Sequence, residues 1–239
     1  MVPTIHLFGL TISTYWSMFG VGLIGIAVLT ILRRKRYRLS IPACLIFTVY
    51  MPVLGLLGAK VLYTLENLEM VKLVGITVGG LSFFGSVWLI LLLMPILGLT
   101  LKLRPLESLD AAAPGVAVMI GFLRVGCFFN GCCGGITVRR SSGSFTYPTQ
   151  MIESIGDFII LFLLLEWEKK DGHEGKLYPG FLVLYGVLRF IVEFMRNTPK
   201  GSLGLSNGHW YSAASVILGG GYLLYRRLRG RSHIEENHS

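Results

Sequence analysis

Arg124 interrupts an otherwise small and apolar run, Gly121-Phe-Leu-Arg-Val-Gly-Cys-Phe-Phe-Asn130. Arg189, Glu193 and Arg196 stand at i, i+4 and i+7, the spacing of one helix face, and Glu153 and Asp157 form a second i, i+4 pair. A charge near the centre of a bilayer costs about 2.5–3.5 kcal/mol on insertion scales, so such a residue usually faces a cavity and acts there. Two arginines in a low dielectric suit a phosphate, because each guanidinium offers a planar fork of donors that keeps its proton. A phosphate that reaches a space between transmembrane helices most simply belongs to a phospholipid. These residues therefore point to headgroup recognition near the outer leaflet, without specifying a reaction. For Arg189 and Glu193 alone, an interhelical ion pair that merely sets packing is the plainer alternative.

The elements that must position these side chains are long apolar segments. The chain has 239 residues, of which 53% are hydrophobic and 15% charged, and its mean hydropathy is +0.64. Soluble domains carry about 25% charged residues, so disordered, collagenous, disulfide-scaffold and ordinary soluble classes are excluded. Apolar runs that reach the ~20 residues needed to cross a bilayer predict spans near 11–32, 41–63, 73–100, 109–131, 149–166, 179–196 and 208–225. The expected fold is all-α: a single integral-membrane domain over 1–239 with seven transmembrane helices. The first run is followed, not preceded, by Arg33, Arg34, Lys35, Arg36 and Arg38, the reverse of a cleavable signal peptide. The N-terminus is therefore placed outside and the C-terminus in the cytoplasm. That orientation puts fourteen of the 22 cations on inner segments and six on outer segments or span ends, with Arg124 and Arg189 inside spans. The positive-inside rule thus absorbs the net charge of +9, and no nucleic-acid partner is needed.

The fourth segment is the least uniform. Pro114 and Gly115 are expected to interrupt it, and Gly121, Gly126, Gly131, Gly134 and Gly135 crowd its outer end. Irregular backbone at membrane depth is tolerated only against protein or a water-filled cavity. The stretch 136–146 reads as a polar outer loop. Gly20-Val-Gly-Leu-Ile-Gly25 matches a dinucleotide-binding pattern but sits inside an apolar span, where small residues serve helix packing. Cys127, Cys132 and Cys133 are spaced C-x4-C-C, unlike paired zinc ligands, with no histidine beside them. They read as small buried packing residues; a nucleophile or an outer-face disulfide is the weaker alternative, and no metal or cofactor is expected. His6, His173 and His233 carry no signal.

At these residues the chain resembles the prolipoprotein diacylglyceryl transferases, across most of its length. Ser13-Thr-Tyr15 resembles the family's first-span tyrosine, Gly58-Ala-Lys-Val-Leu-Tyr63 its G-A-R-x-x-Y segment, and Gly79-Gly-Leu-Ser-Phe-Phe-Gly85 its G-G-x-S-F-H-G motif. Arg124-Val-Gly-Cys-Phe-Phe-Asn-Gly131 is similar to R-[IV]-G-[NC]-F-x-N-G, the most specific match. Tyr147-Pro-Thr-Gln-Met-Ile-Glu153 resembles H-P-[ST]-Q-x-x-E, Arg189-Phe-Ile-Val-Glu-Phe-Met-Arg196 resembles R-F-x-x-E-x-x-R, and Ser206-Asn-Gly-His209 resembles S-M-G-Q. Seven such segments in the right order are a strong signal.

The resemblance implies a bacterial plasma-membrane enzyme. It would move the diacylglyceryl group of phosphatidylglycerol to the lipobox cysteine thiol of a preprolipoprotein signal peptide, releasing glycerol phosphate. Its implied site has Arg124 and Arg189 as an electrophilic clamp, with Glu193 orienting Arg189 or Arg196. Tyr15 and Asn130 would donate to headgroup or ester oxygens, and Gly126, Gly131 and Gly135 would admit the lipid close to the backbone. Lys60, Gln150, Glu153 and Arg196 complete the implied substrate-binding set. The acceptor thiol comes from the peptide, so no catalytic cysteine is required. The chain departs from the family at Phe84, where the motif has a histidine, at Cys127 for asparagine, at Lys60 for arginine, and near Ile136, where an arginine is expected. His209 is then a displaced proton acceptor or an interfacial packing histidine. A paralogue acting on another lipid group or acceptor, and a phospholipid-binding membrane protein without catalysis, are the alternative functions.

Overall fold

A computed structural model describes residues 4–7, 10–68, 82–102, 104–140, 143–170, 172, 174–201 and 203–236. Among them are seven helices and four short strands. β1 (Thr4–Leu7) and β2 (Leu10–Ser13) form an antiparallel hairpin that leads into α1 (Thr14–Arg33). There follow α2 (Ile41–Glu66), α3 (Phe83–Thr100), α4 (Pro105–Asn130), a hairpin of β3 (Thr137–Arg140) and β4 (Gly143–Thr146), then α5 (Thr149–Glu168), α6 (Leu177–Glu193) and α7 (Asn207–Glu236). The chain divides into two compact units, one of Met1–Gly22 with Ala117–Ser239 and the other of Leu23–Val116.

In the second unit, α2 starts where Ser40 accepts the Ala43 N–H at 3.3 Å and a proline occupies the first turn, where its missing N–H is no loss. α2 packs on α3 at Gly58 and Gly85. A Cβ on Gly58 would lie 2.2 Å from the Gly85 carbonyl oxygen, so this crossing requires glycine on both helices. Phe84 is buried in the same unit, edge-on to Phe83.

Four of the described helices, α1 to α4, are long and apolar enough to cross a membrane. Their outward faces carry Ile24, Val28, Val49, Val53, Leu92 and Ile96, all exposed. A helix that is apolar on its solvent side as well as its packed side belongs in lipid. The chain is a membrane protein. α5 carries too many charges and α6 is too short to meet the same measure, yet both also present apolar side chains outward, among them Ile159, Phe162 and Ile191.

Two expectations change, and part of another lies outside the described residues. The two hairpins add β structure to an otherwise helical chain, and the loop at 136–146 is one of them, with Val138 opposite Phe145. The beginning of the third span, 73–81, lies outside the described residues, as do Ser141, Ser142 and His173. Pro114 does not interrupt its segment: α4 runs unbroken from Pro105 to Asn130. A proline lacks the N–H that would bond the carbonyl four residues earlier, here Asp110. Arg33 supplies the missing donor, with Nη2 on the Asp110 oxygen at 3.1 Å and Nη1 on the Ala111 oxygen at 2.8 Å. Arg33→Leu is expected to lower stability by about 1–3 kcal/mol, the penalty of leaving a buried carbonyl unpaired. Thermal unfolding in detergent measures it, and an unchanged midpoint would remove this role from Arg33.

Candidate active site: a buried cluster of three arginines and two glutamates

The cluster lies in the first unit. α5 begins at Thr149 and aims Glu153, one turn in and 1% exposed, at its neighbours. Arg124 of α4 pairs through Nε with one oxygen of Glu153, and Arg189 of α6 pairs through Nη1 with the other. Arg189 also reaches Glu193, one turn further along its own helix, with Nη2 at 2.7 Å from Oε2. α6 ends at Glu193, so Arg196 stands in the following turn and not on the helix face that its spacing suggested. Its guanidinium converges nonetheless, Nη1 3.6 Å from Glu153 and Nε 3.7 Å from Glu193. Three cations thus share two anions, leaving one net positive charge among groups removed from water. Arg189 Nε has no hydrogen-bond partner among the described residues.

This corrects one feature of the expected clamp. Arg124 and Arg189 do meet, but around a resident carboxylate, Glu153, which the sequence pattern pairs with Asp157. Asp157 is fully buried on the same helix, and neither of its oxygens has a hydrogen-bond partner among the described residues.

Glu193 is held from a second side. Thr198 Oγ1 and Ser206 Oγ both donate to its Oε1, at 2.8 and 2.7 Å. Gly208 makes room for it, since a Cβ there would lie 2.6 Å from the Glu193 carboxyl carbon. His209 is 1% exposed, packed against the edges of Phe190 and Phe194. Its Nδ1 lies 3.1 Å from both the Ser206 N–H and the Ser206 hydroxyl. Glu193, Ser206 and His209 therefore form one chain of contacts. Thr198 is the residue that the sequence reading misses, because a lone hydroxyl in a loop carries no signal until its acceptor is located. Ser206 is marked only by its place in the segment Ser206-Asn-Gly-His209, with no partner assigned.

The other expected residues are placed as follows. Gln150 is buried, its Nε2 donating to the Cys132 carbonyl at 2.6 Å, so it fixes the loop after α4. Gly135 forms a bridge with Arg196, and a Cβ there would sit 2.5 Å from the Met195 carbonyl oxygen. Gly126 lets Tyr15 and Met18 of α1 approach α4, a Cβ lying 3.2 Å from the Tyr15 Cα. Both glycines meet protein at this distance, not open space for lipid. Tyr15 is half-buried in the first turn of α1, and Asn130 is exposed at the end of α4. Lys60 belongs to the other unit, its Nζ 5.5 Å from the Tyr63 ring centroid.

Cys127 is buried, but Cys132 is half-buried and Cys133 exposed, which corrects the reading of all three as interior packing residues. A hydrogen bond from the Cys127 thiol, with Arg124 and Arg196 nearby, pulls the Cys133 thiol down to about 5, while burial raises Cys132.

Four helices long and apolar enough to cross a membrane, with a buried cluster of guanidinium and carboxylate groups in one unit, define the class as a membrane protein that carries buried charge. The chain belongs to the prolipoprotein diacylglyceryl transferase family, whose pattern it matches over residues 3–225. It is 31% identical to the phosphatidylglycerol–prolipoprotein diacylglyceryl transferase 2 of Clostridium perfringens, across 97% of each chain. The phosphatidylglycerol–prolipoprotein diacylglyceryl transferase of Clostridium tetani is 30% identical over 90% of this chain and 93% of its own. That of Tropheryma whipplei is 30% identical over 69% of this chain and 70% of its own.

Proposed function

We propose that the chain transfers the diacylglyceryl group of phosphatidylglycerol to the lipobox cysteine thiol of a preprolipoprotein, releasing glycerol phosphate, in a bacterial plasma membrane. Family membership supplies the reaction class, and the match crosses both units of the chain. The observation that carries the reading is the net positive cluster of Arg124, Arg189 and Arg196 around Glu153.

The peptide's sulfur attacks the glycerol carbon that bears the phosphate; a carbon–sulfur bond forms and the carbon–oxygen bond breaks. The leaving phosphate changes from a diester with one negative charge to a monoester with more, so negative charge accumulates on its oxygens. Cationic donors fixed in advance stabilise that change without reorganising. Arg124 and Arg189 are the proposed donors, and half-buried Arg196 is the group that first meets the headgroup. Glu153 and Glu193 hold the guanidinium planes in place, and Tyr15 and Asn130 contribute donors to the headgroup and ester oxygens. With phosphatidylglycerol labelled in its acyl chains and a lipobox peptide, label is expected on the peptide cysteine. Label that stays on the lipid, or moves only to an unrelated acceptor, overturns the proposal.

Phe84 cannot accept the thiol proton, and His209 presents Nδ1 to Ser206 within a sealed aromatic niche. We therefore assign His209 to positioning, through Ser206, of Glu193, with the thiol proton passing to water. His209→Gln is expected to keep most of the activity with an unchanged pH profile, and His209→Ala to lose more. A profile that loses its limb in the glutamine variant would make His209 the proton acceptor instead.

Seven spans with the N-terminus outside and the C-terminus in the cytoplasm complete the proposal, supported by the distribution of cations and by the apolar outward faces of α5 to α7. A reporter active only in the cytoplasm is expected to work when fused after Ser239 and to fail when fused before Met1. The reverse pattern would invert the topology.

A further inference from the structure

The thiol groups of Cys127, Cys132 and Cys133 all lie within 4.8 Å of one another, at the end of α4 and in the turn that follows it. The sequence spacing hides this arrangement; the backbone creates it. α4 ends at Asn130, Gly131 turns with φ 72°, and Cys133 adopts φ 61°, a left-handed conformation that residues with a side chain rarely take. The two left-handed residues fold the chain back over the last turn of the helix, where the Cys132 N–H bonds the Cys127 carbonyl at 3.1 Å. Backbone outliers of this kind persist where the surroundings enforce them and cluster at ligand clamps. Here the surroundings are visible: Gln150 holds the Cys132 carbonyl at 2.6 Å, and Thr149 and Arg196 donate to the Cys133 carbonyl at 3.2 and 3.5 Å.

We propose that Cys127, Cys132 and Cys133 form a three-sulfur site for a single soft, thiophilic metal ion. Metal–sulfur bonds of about 2.3 Å around a trigonal ion place the sulfurs about 4 Å apart, so the cluster must close by less than about 1 Å. An all-sulfur donor set favours copper(I) and comparable d10 ions over magnesium, calcium or manganese, which take oxygen ligands. The side chains lie in order from buried Cys127 to exposed Cys133, which gives the ion an entry path from solvent. On binding, each thiol releases its proton to solvent, and the ion takes up the three thiolates. The site does not depend on the transferase reading, and its test reads metal directly.

The test uses the full chain, reduced with a phosphine and purified in detergent. Cadmium(II) alone is the probe, read by the thiolate-to-metal charge-transfer band and by native mass. One ion per chain is expected. Serine at Cys127, Cys132 or Cys133 should each weaken binding by at least about 100-fold, the upper range for loss of a mere outer-shell partner. Cys44→Ser, which changes a buried cysteine of the other unit, should leave it unaltered. Failure of the reduced parent chain to bind, or binding that survives replacement of all three cysteines, overturns the proposal. So does isolation of the parent with two of the three joined as a disulfide that phosphine does not open.

Discussion

Arg124→Ala is expected to lower the rate of diacylglyceryl transfer at saturating phosphatidylglycerol by about 10²–10³-fold, the range for losing one fixed donor to a developing oxyanion. Arg124 comes from α4 and Arg189 from α6, so a phosphate bound beside the Glu153 they share would be approached from two directions. Removing one side leaves the leaving group half solvated at the moment its charge grows. The loss should appear in turnover more than in lipid affinity, because the ground-state diester carries the smaller charge. Folding should suffer less. Glu153 keeps Arg189 and Arg196 when Arg124 is removed, so its carboxylate is not left alone. Arg124→Lys retains the charge but not the planar fork, and is expected to recover only part of the rate. Transfer assays beside thermal unfolding in detergent separate these effects. An alanine variant that turns over at the parent rate would remove Arg124 from the chemistry.

The convergence of Arg124, Arg189 and Arg196 was legible because charges in apolar helices are rare enough to mark themselves. What they converge on was not. Within the sequence, the i, i+4 spacing ties Glu153 to Asp157, whereas in space Glu153 faces two other helices and Asp157 has no hydrogen-bond partner among the described residues. Spacing reports neighbours along one helix and says nothing of which helices pack together. The same limit hid the fate of Pro114. A proline in a helix predicts a break, and only a donor from far along the chain, Arg33, removes the reason for one. The hairpin at β3 and β4 was missed for a different reason. Each strand has four residues and a polar face, so the alternation of Val138 and Phe145 with charged and hydroxyl neighbours is too brief to stand out against a loop. Apolar run length, by contrast, located both ends of five helices, α1, α2, α4, α5 and α6, to within a few residues, because a run of that length marks itself in the sequence.

Glu153→Gln should be the most destabilising single change at the site. Glutamine keeps the shape and hydrogen-bonding reach of glutamate but removes one of two anions that face three guanidinium groups. The buried cluster then carries two net positive charges in place of one. Breaking a buried ion pair from one side costs about 3–5 kcal/mol, because the abandoned charge stays out of water. For a chain of this length that corresponds to a fall of about 6–20 °C in the unfolding midpoint. Glu193→Gln should cost less, since Glu193 pairs closely with Arg189 alone and retains Thr198 and Ser206 as donors. Charge, and not shape, is the proposed cause, and a second substitution distinguishes them. Adding Arg196→Gln to Glu153→Gln restores the net charge to one and should recover part of the midpoint, a coupling that two independent defects would not show. Transfer should stay low in the double variant, because the arginines that remain are no longer held in one orientation. If Glu153→Gln instead melts with the parent, the guanidinium groups have another counter-ion, and the arrangement proposed for the leaving phosphate loses its foundation.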